Sequence, residues 1–128
     1  MARLPADPSA VARALGVARR FSEAAGLGSM CADKLAIIVE EWIANIIEHG
    51  APPAGSHIGV SLVREPGLVR LTITDAGAFF DPRTAAFAGP DLERGGGAGL
   101  ELIRAWSRIA AYGRRAGRNR IVLELPVA

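Results

Sequence analysis

Apolar positions along the chain change period several times, and each change marks an element. Between residues 10 and 25, Val11, Leu15, Val17, Ala18, Phe21 and Ala25 recur at helical spacing, with Arg13, Arg19, Arg20 and Glu23 on the wetter side. Asp7-Pro8-Ser9 supplies a start, with Asp7 as cap and Pro8 at the first helical position, and Gly26 and Gly28 end the helix. Ahead of it, residues 3–6 read as a short edge strand. The spacing predicts a second helix over about 31–49, where Leu35, Ile38, Val39, Trp42, Ile43, Ile46 and Ile47 form a wide apolar face. Gly50 and then Pro52-Pro53 stop it. Residues 57–64 and 68–75 nearly alternate and flank Glu65-Pro66-Gly67, the pattern of a hairpin.

From 76 to 97 the period is lost and Gly, Pro and charged residues dominate, which predicts a long functional loop able to act as a lid. A third helix opens at Gly97-Ala-Gly-Leu and runs to about Ser107, with Leu100, Leu102, Ile103 and Trp106 as its contacts. Strands near 109–112 and 120–125 close the chain around an Arg114-Arg115-Ala116-Gly117 turn. The order β-α-α-β-β-loop-α-β-β lacks strict β-α-β alternation. It favours a two-layer α/β sandwich, of the α+β kind, over a doubly wound parallel sheet.

Composition narrows this picture without naming a partner. At 128 residues, half of them apolar, the chain is expected to form one domain over 1–128 with a real core. The net charge of +2 is small, and all but Lys34 of the 15 basic residues are arginine. No exposed aromatic–basic pattern accompanies them, so direct nucleic-acid binding is not expected. The arginines at 114, 115, 118 and 120 read as solvated charge around a turn, with a partner-binding patch as the alternative. Cys31 stands alone, which excludes an intrachain disulfide and a cysteine-rich metal site. No secretory run opens the sequence and no uninterrupted stretch approaches the roughly 18 apolar residues of a membrane span, so a cytoplasmic protein with no membrane partner is expected. Trp42 and Trp106 read as core, and His57 as a polar strand edge.

Three constellations carry candidate chemistry. Glu41, Asn45 and His49 fall four apart on the second helix and share one stripe. An Asn oxygen there is a hard ligand suited to Mg²⁺, and the Glu can orient or deprotonate a hydroxyl; a solvated helix edge gives the same spacing. Asp75 and Gly77 stand where a strand gives way to the loop. The carboxylate can accept from an exocyclic amine while glycine lets a flat ring approach, as for adenine, although Asp-x-Gly is also a common turn. Phe79, Phe80 and Pro82 read as anchors of that loop on the core. Glycines from Gly95 to Gly99 run directly into a helix, where free backbone N–H groups and the helix dipole suit phosphate; a glycine hinge is the alternative. No Gly-Lys-Ser/Thr follows, so this is not a P-loop.

In this order the three boxes resemble the GHKL ATPases, the superfamily of gyrase, the heat-shock chaperone, histidine kinases and MutL, and within it the small anti-sigma factor serine/threonine kinases. The family's Glu-x-x-x-Asn helix motif matches Glu41 and Asn45, with His49-Gly50 following. Its Asp-x-Gly-x-x-Phe-Asp-Pro box matches Asp75, Gly77, Phe80, Asp81 and Pro82, and its glycine box matches Gly96, Gly97, Gly99 and Leu100. The resemblance implies a Bergerat-type sandwich with a mixed, mostly antiparallel sheet and helices on one face. It implies ATP and Mg²⁺ as ligands, Asn45 on the metal, Glu41 as base, Asp75 on adenine, and the glycines around the phosphates. His49, Phe80 and Leu100 are carried over with them to the nucleotide site. It further implies a kinase that sequesters a sigma factor or related regulator and phosphorylates a small antagonist protein, with Arg13, Arg19 and Arg20 near the partner surface and room for a homodimer. A nucleotide-gated switch without phosphoryl transfer is the alternative. Ala51 stands where the family commonly has tyrosine, and Ser107 and Arg108 where acidic residues are common, departures that bear on the partner.

Overall fold

Alternation along the strands makes a sheet with one apolar and one polar face, and the helices cover the apolar one. The computed structural model describes residues 1–83 and 98–127. In chain order these form β1 (Ala2–Pro5), α1 (Ala10–Ala24), α2 (Ser29–His49), β2 (His57–Glu65), β3 (Leu68–Asp75), α3 (Ala98–Trp106), β4 (Arg108–Arg115) and β5 (Arg118–Pro126). The five strands lie in the order β1-β2-β3-β5-β4, with β1 at one edge as its shortness suggests. Every pairing among them is antiparallel, which corrects the mixed sheet expected from the resemblance. The cause is connectivity: both hairpins keep their partners adjacent, and the chain returns from β3 through α3 to the far edge before β5 folds inward.

Register sets which side chains meet. Val60, Ile73 and Ile121 stand in one row across β2, β3 and β5, and Leu62, Leu71 and Leu123 in another. These rows join Leu35, Ile38, Val39, Trp42, Ile43 and Ile46 of α2 and Ile103 of α3 in one core. α1 contributes Ala10, Ala14 and Ala18, small residues four apart that let it lie close against its neighbours. α2, flanked by α1 on one side and α3 on the other, is the central helix of the layer. On the opposite face Glu124 accepts from Arg70 and Arg108, and Arg70 also meets Glu65.

Asp7 caps the start of α1 as expected: its Oδ1 accepts from the Ser9 backbone N at 2.8 Å and from the Ser9 hydroxyl, and its carbonyl accepts from the Ala10 N at 2.9 Å. Two local details differ from expectation. α2 starts earlier, at Ser29, from an extended Gly28. The last turn is two residues, Ala116 at φ 52° and Gly117 at φ 77°, so β4 and β5 run longer than their apolar stretches. Left-handed backbone at both positions twists with the strands it joins, and alanine is a poor signal for it. The Glu65-Pro66-Gly67 turn is as expected, with Gly67 at φ 76°.

Candidate functional site

Asp75 ends β3 and is 4% exposed, an unusual burial for a carboxylate. Its Oδ1 accepts from the Gly77 backbone N at 2.8 Å and from Asn119 Nδ2 at 3.1 Å. Among the described residues both hydrogen bonds fall on that one oxygen, leaving Oδ2 to accept from a ligand donor. Gly77 is buried where the chain turns under the end of α2. The Ala78 N donates to the Gly50 carbonyl at 2.7 Å, and a Cβ on Gly77 would stand 2.7 Å from that same oxygen. Glycine is therefore needed for backbone to meet backbone, a role additional to admitting a flat ring.

At the other end of the site, Glu41 is half-buried on α2 and faces the first turn of α3. A Cβ on Gly99 would overlap the Glu41 carboxylate and lie 2.8 Å from its Cδ. Burial raises the Glu41 carboxyl above the ordinary glutamate range, and the neighbouring charges of Glu40 and Glu48 raise it further. Asn45 is half-buried one turn along the same stripe, and His49, a turn beyond, is exposed with Nε2 3.8 Å from Glu48. From residue 41 to residue 50 the helix advances about 13 Å. α2 thus links the start of α3 to the Asp75 turn. Leu100 is buried in the core beneath that helix start. Gly96 and Gly97, and the greater part of the lid expected over 76–97, lie outside the described residues.

The loop after Gly77 is held at its root. The Phe80 N donates to the Tyr112 hydroxyl at 3.1 Å, Arg83 chelates Asp81 and donates to the Tyr112 carbonyl at 2.9 Å, and Arg104 of α3 donates to the Pro82 carbonyl. The Arg83 guanidinium holds the Asp81 carboxyl below its ordinary range. Burial pushes the Tyr112 phenol up. Pro82 is buried, but Phe79 is 54% and Phe80 37% exposed, so the two phenylalanines do not anchor the loop in the core as expected. Phe79 instead lies against the Tyr112 ring at 5.4 Å, and Tyr112 meets buried Trp42 edge-on at 6.1 Å. The anchor is the backbone and the tyrosine, because the sheet edge offers polar partners there.

Sequence reasoning missed the residues behind Asp75. Asn119, 1% exposed, sits across from it on β5, and Arg114 donates from β4 to the Gly77 carbonyl at 2.8 Å. Arg118 donates to the His57 carbonyl and to Thr74 Oγ1, both at 3.0 Å. Two of the four arginines read as solvated charge are thus braces around the strand end. Their signal lies in the strand register, which a single-sequence pattern does not supply. Chemically, the arrangement offers a buried acceptor for an amine at one end and a carboxylate beside a helix start at the other. Among the described residues no three acidic, histidine or cysteine side chains gather as a metal cage. The side-chain oxygen of Asn45 is a hard donor of the kind magnesium takes alongside oxygens of its ligand and water.

The sequence profile of the family described as "Histidine kinase-like ATPase domain" matches residues 4–125. Among curated proteins the chain is similar to serine/threonine-protein kinase BtrW of Bordetella bronchiseptica, at 34% identity over 97 residues, covering 70% of this chain and 66% of that one. Among solved structures it is similar in fold to the blue-light activated histidine kinase of Erythrobacter litoralis EL346, with a TM-score of 0.57 at 15% identity over 79% of this chain and 32% of that one. The histidine kinase domain of the same protein gives a TM-score of 0.57 at 14% identity, over 96% of this chain and 61% of that one. The chain spans just under two thirds of BtrW and a smaller share of the blue-light activated histidine kinase.

Proposed function

Starting from a chain that belongs to the histidine kinase-like ATPase domain family, we propose that it is an ATP-dependent serine/threonine kinase that binds a sigma factor or similar regulator and phosphorylates a small antagonist protein. The observation that carries this reading is Glu41: a half-buried carboxylate, raised above its ordinary range by burial, packed at the start of α3 on the same helix whose end holds the Asp75 turn. A base needs that position and that tuning. The name of BtrW, a serine/threonine kinase, points the same way.

Each residue then has one task. Asp75, with Gly77, takes the adenine amine through Oδ2. Gly96, Gly97 and Gly99 hold the phosphates through backbone N–H groups at the helix start. Phe80, Leu100 and His49 border the site. Asn45 holds magnesium, which supplies charge neutralisation at the phosphates. Glu41 accepts the proton of a Ser or Thr hydroxyl of the antagonist. Phosphorylation adds up to about two negative charges to the antagonist and weakens its docking, so exchange of partners follows the chemistry.

The test is phosphoryl transfer from radiolabelled ATP to a candidate small serine-bearing antagonist protein, comparing wild type with Glu41→Ala. Transfer lost with ATP binding retained supports the kinase. Failure of the wild type to transfer, with ATP still altering its grip on a partner, replaces it with a nucleotide-gated switch.

A further inference from the structure

Asn119 is the best-connected buried polar side chain among the described residues, and nothing in the reading above uses it. Its Nδ2 lies 3.1 Å from Asp75 Oδ1, 2.9 Å from the Gly77 carbonyl and 3.1 Å from the Ala78 carbonyl. Its Oδ1 accepts from Arg114 Nη1 at 3.0 Å, and the same Nη1 reaches the Gly77 carbonyl at 2.8 Å. The arginine fixes which way the amide faces. Guanidinium only donates, so the amide oxygen must turn toward it and the NH₂ group toward Asp75 and the two carbonyls. The register makes this possible, since Asp75 and Arg114 both pair with Asn119 across their strands.

A carboxylate alone at a strand end has free rotation about its last bond and presents either oxygen. Here one oxygen is engaged by two donors from different directions, Gly77 N and Asn119 Nδ2. The other is thereby presented as a pure acceptor in a fixed direction. We propose that Asn119, oriented by Arg114, is the positioning residue that sets base selectivity, holding Asp75 so that only a ring bearing an exocyclic amine satisfies Oδ2. This rests on the assignment of Asp75 to the base. A ring with a carbonyl at that place sets oxygen against carboxylate oxygen, and a site built to receive an N–H rejects a ligand lacking it. Once the amide is gone the carboxylate turns to water or to Gly77, and the penalty on the carbonyl analogue falls.

The experiment is calorimetric titration with ATP and with inosine triphosphate, which has a carbonyl in place of the amine, in the presence of magnesium. The variants are Asn119→Ala, Arg114→Met and Asp75→Ala. Wild type is expected to favour ATP by at least about tenfold, the scale of one hydrogen bond to a charged group. Asn119→Ala is expected to bring the two affinities within about threefold, by weakening ATP and relieving the repulsion of the inosine nucleotide. Arg114→Met removes an exposed side chain, so it tests the idea even where Asn119→Ala does not fold; its ratio should fall about threefold. A scaffold role alone lowers both affinities together, and an unchanged ATP-to-inosine ratio in both variants, or in Arg114→Met if it alone folds, overturns the inference. If wild type shows no preference, or Asp75→Ala keeps it, the assignment of Asp75 to the base fails and takes the inference with it.

Discussion

Glu41 illustrates a conflict between stability and chemistry within one side chain. Its carboxyl is raised above the ordinary range by burial first, then by Glu40 and Glu48. A folded-state value above the unfolded one means that folding favours the protonated acid. The stabilisation is therefore full below the unfolded value, near pH 4, and is lost as pH rises through the folded value. Once ionised, Glu41 opposes the fold. Glu41→Gln keeps the shape and removes the charge. The expected outcome is a higher melting temperature than wild type at pH 7.5, a gap that closes by about pH 4, and loss of phosphoryl transfer with ATP binding retained. Melts at the two pH values beside a transfer assay check it, and a variant no more stable than wild type at pH 7.5 would show that the local field on Glu41 is misread.

Between elements, two glycines matter because backbone or side chain from another element occupies the space of a Cβ. At Gly77 that space is filled by the Gly50 carbonyl, 2.7 Å away, and neither backbone segment yields cheaply. Gly77→Ala is expected to cost about 1–3 kcal/mol and to weaken ATP, because the turn bearing Asp75 must lift off α2. At Gly99 the obstacle is Glu41, whose Cδ would be 2.8 Å and whose Cβ 3.2 Å from the added carbon. Gly99→Ala should therefore move the Glu41 head group and reduce transfer more than it reduces ATP affinity. Urea midpoints, titrations and turnover of both variants separate the cases; equal loss of affinity and turnover in Gly99→Ala would contradict the placement of Glu41 at the start of α3.

The helices, the first hairpin and the stripe of Glu41, Asn45 and His49 were legible because their signals are local: a period of 3.6 or 2, a Pro-Gly turn, a spacing of four. Asp75 and Gly77 were legible for the same reason, as a strand end followed by glycine. Asn119, Arg114 and Arg118 were not, since the contacts that give them their place reach 42 residues to Gly77, 37 to Gly77 and 44 to Thr74, brought together by β5 inserting beside β3. Exposed Phe79 and Phe80 misled for the opposite reason: aromatic side chains are usually buried, and here polar contacts of the backbone and Tyr112 fix the loop instead.

Across the whole molecule, α2 joins the two ends of the site, so a nucleotide seated along it draws on the Asp75 turn, α2 and α3 together and on nothing that survives unfolding. A ligand bound only to the folded state stabilises by about 2.7 kcal/mol at a hundred times its dissociation constant. For a chain of 128 residues this amounts to roughly 10 °C in melting temperature. Mg–ATP at that concentration should give a shift of that order. Adding a chelator should shrink it, because the charge of the phosphates is then not neutralised near the Glu41 carboxylate. Asn45→Ala should shrink it to the same level without chelator, and chelator should add little further. That equivalence identifies the metal ligand: full magnesium sensitivity in Asn45→Ala would mean that the ion rests on other oxygens, and the polar stripe of α2 would then serve Glu41 alone.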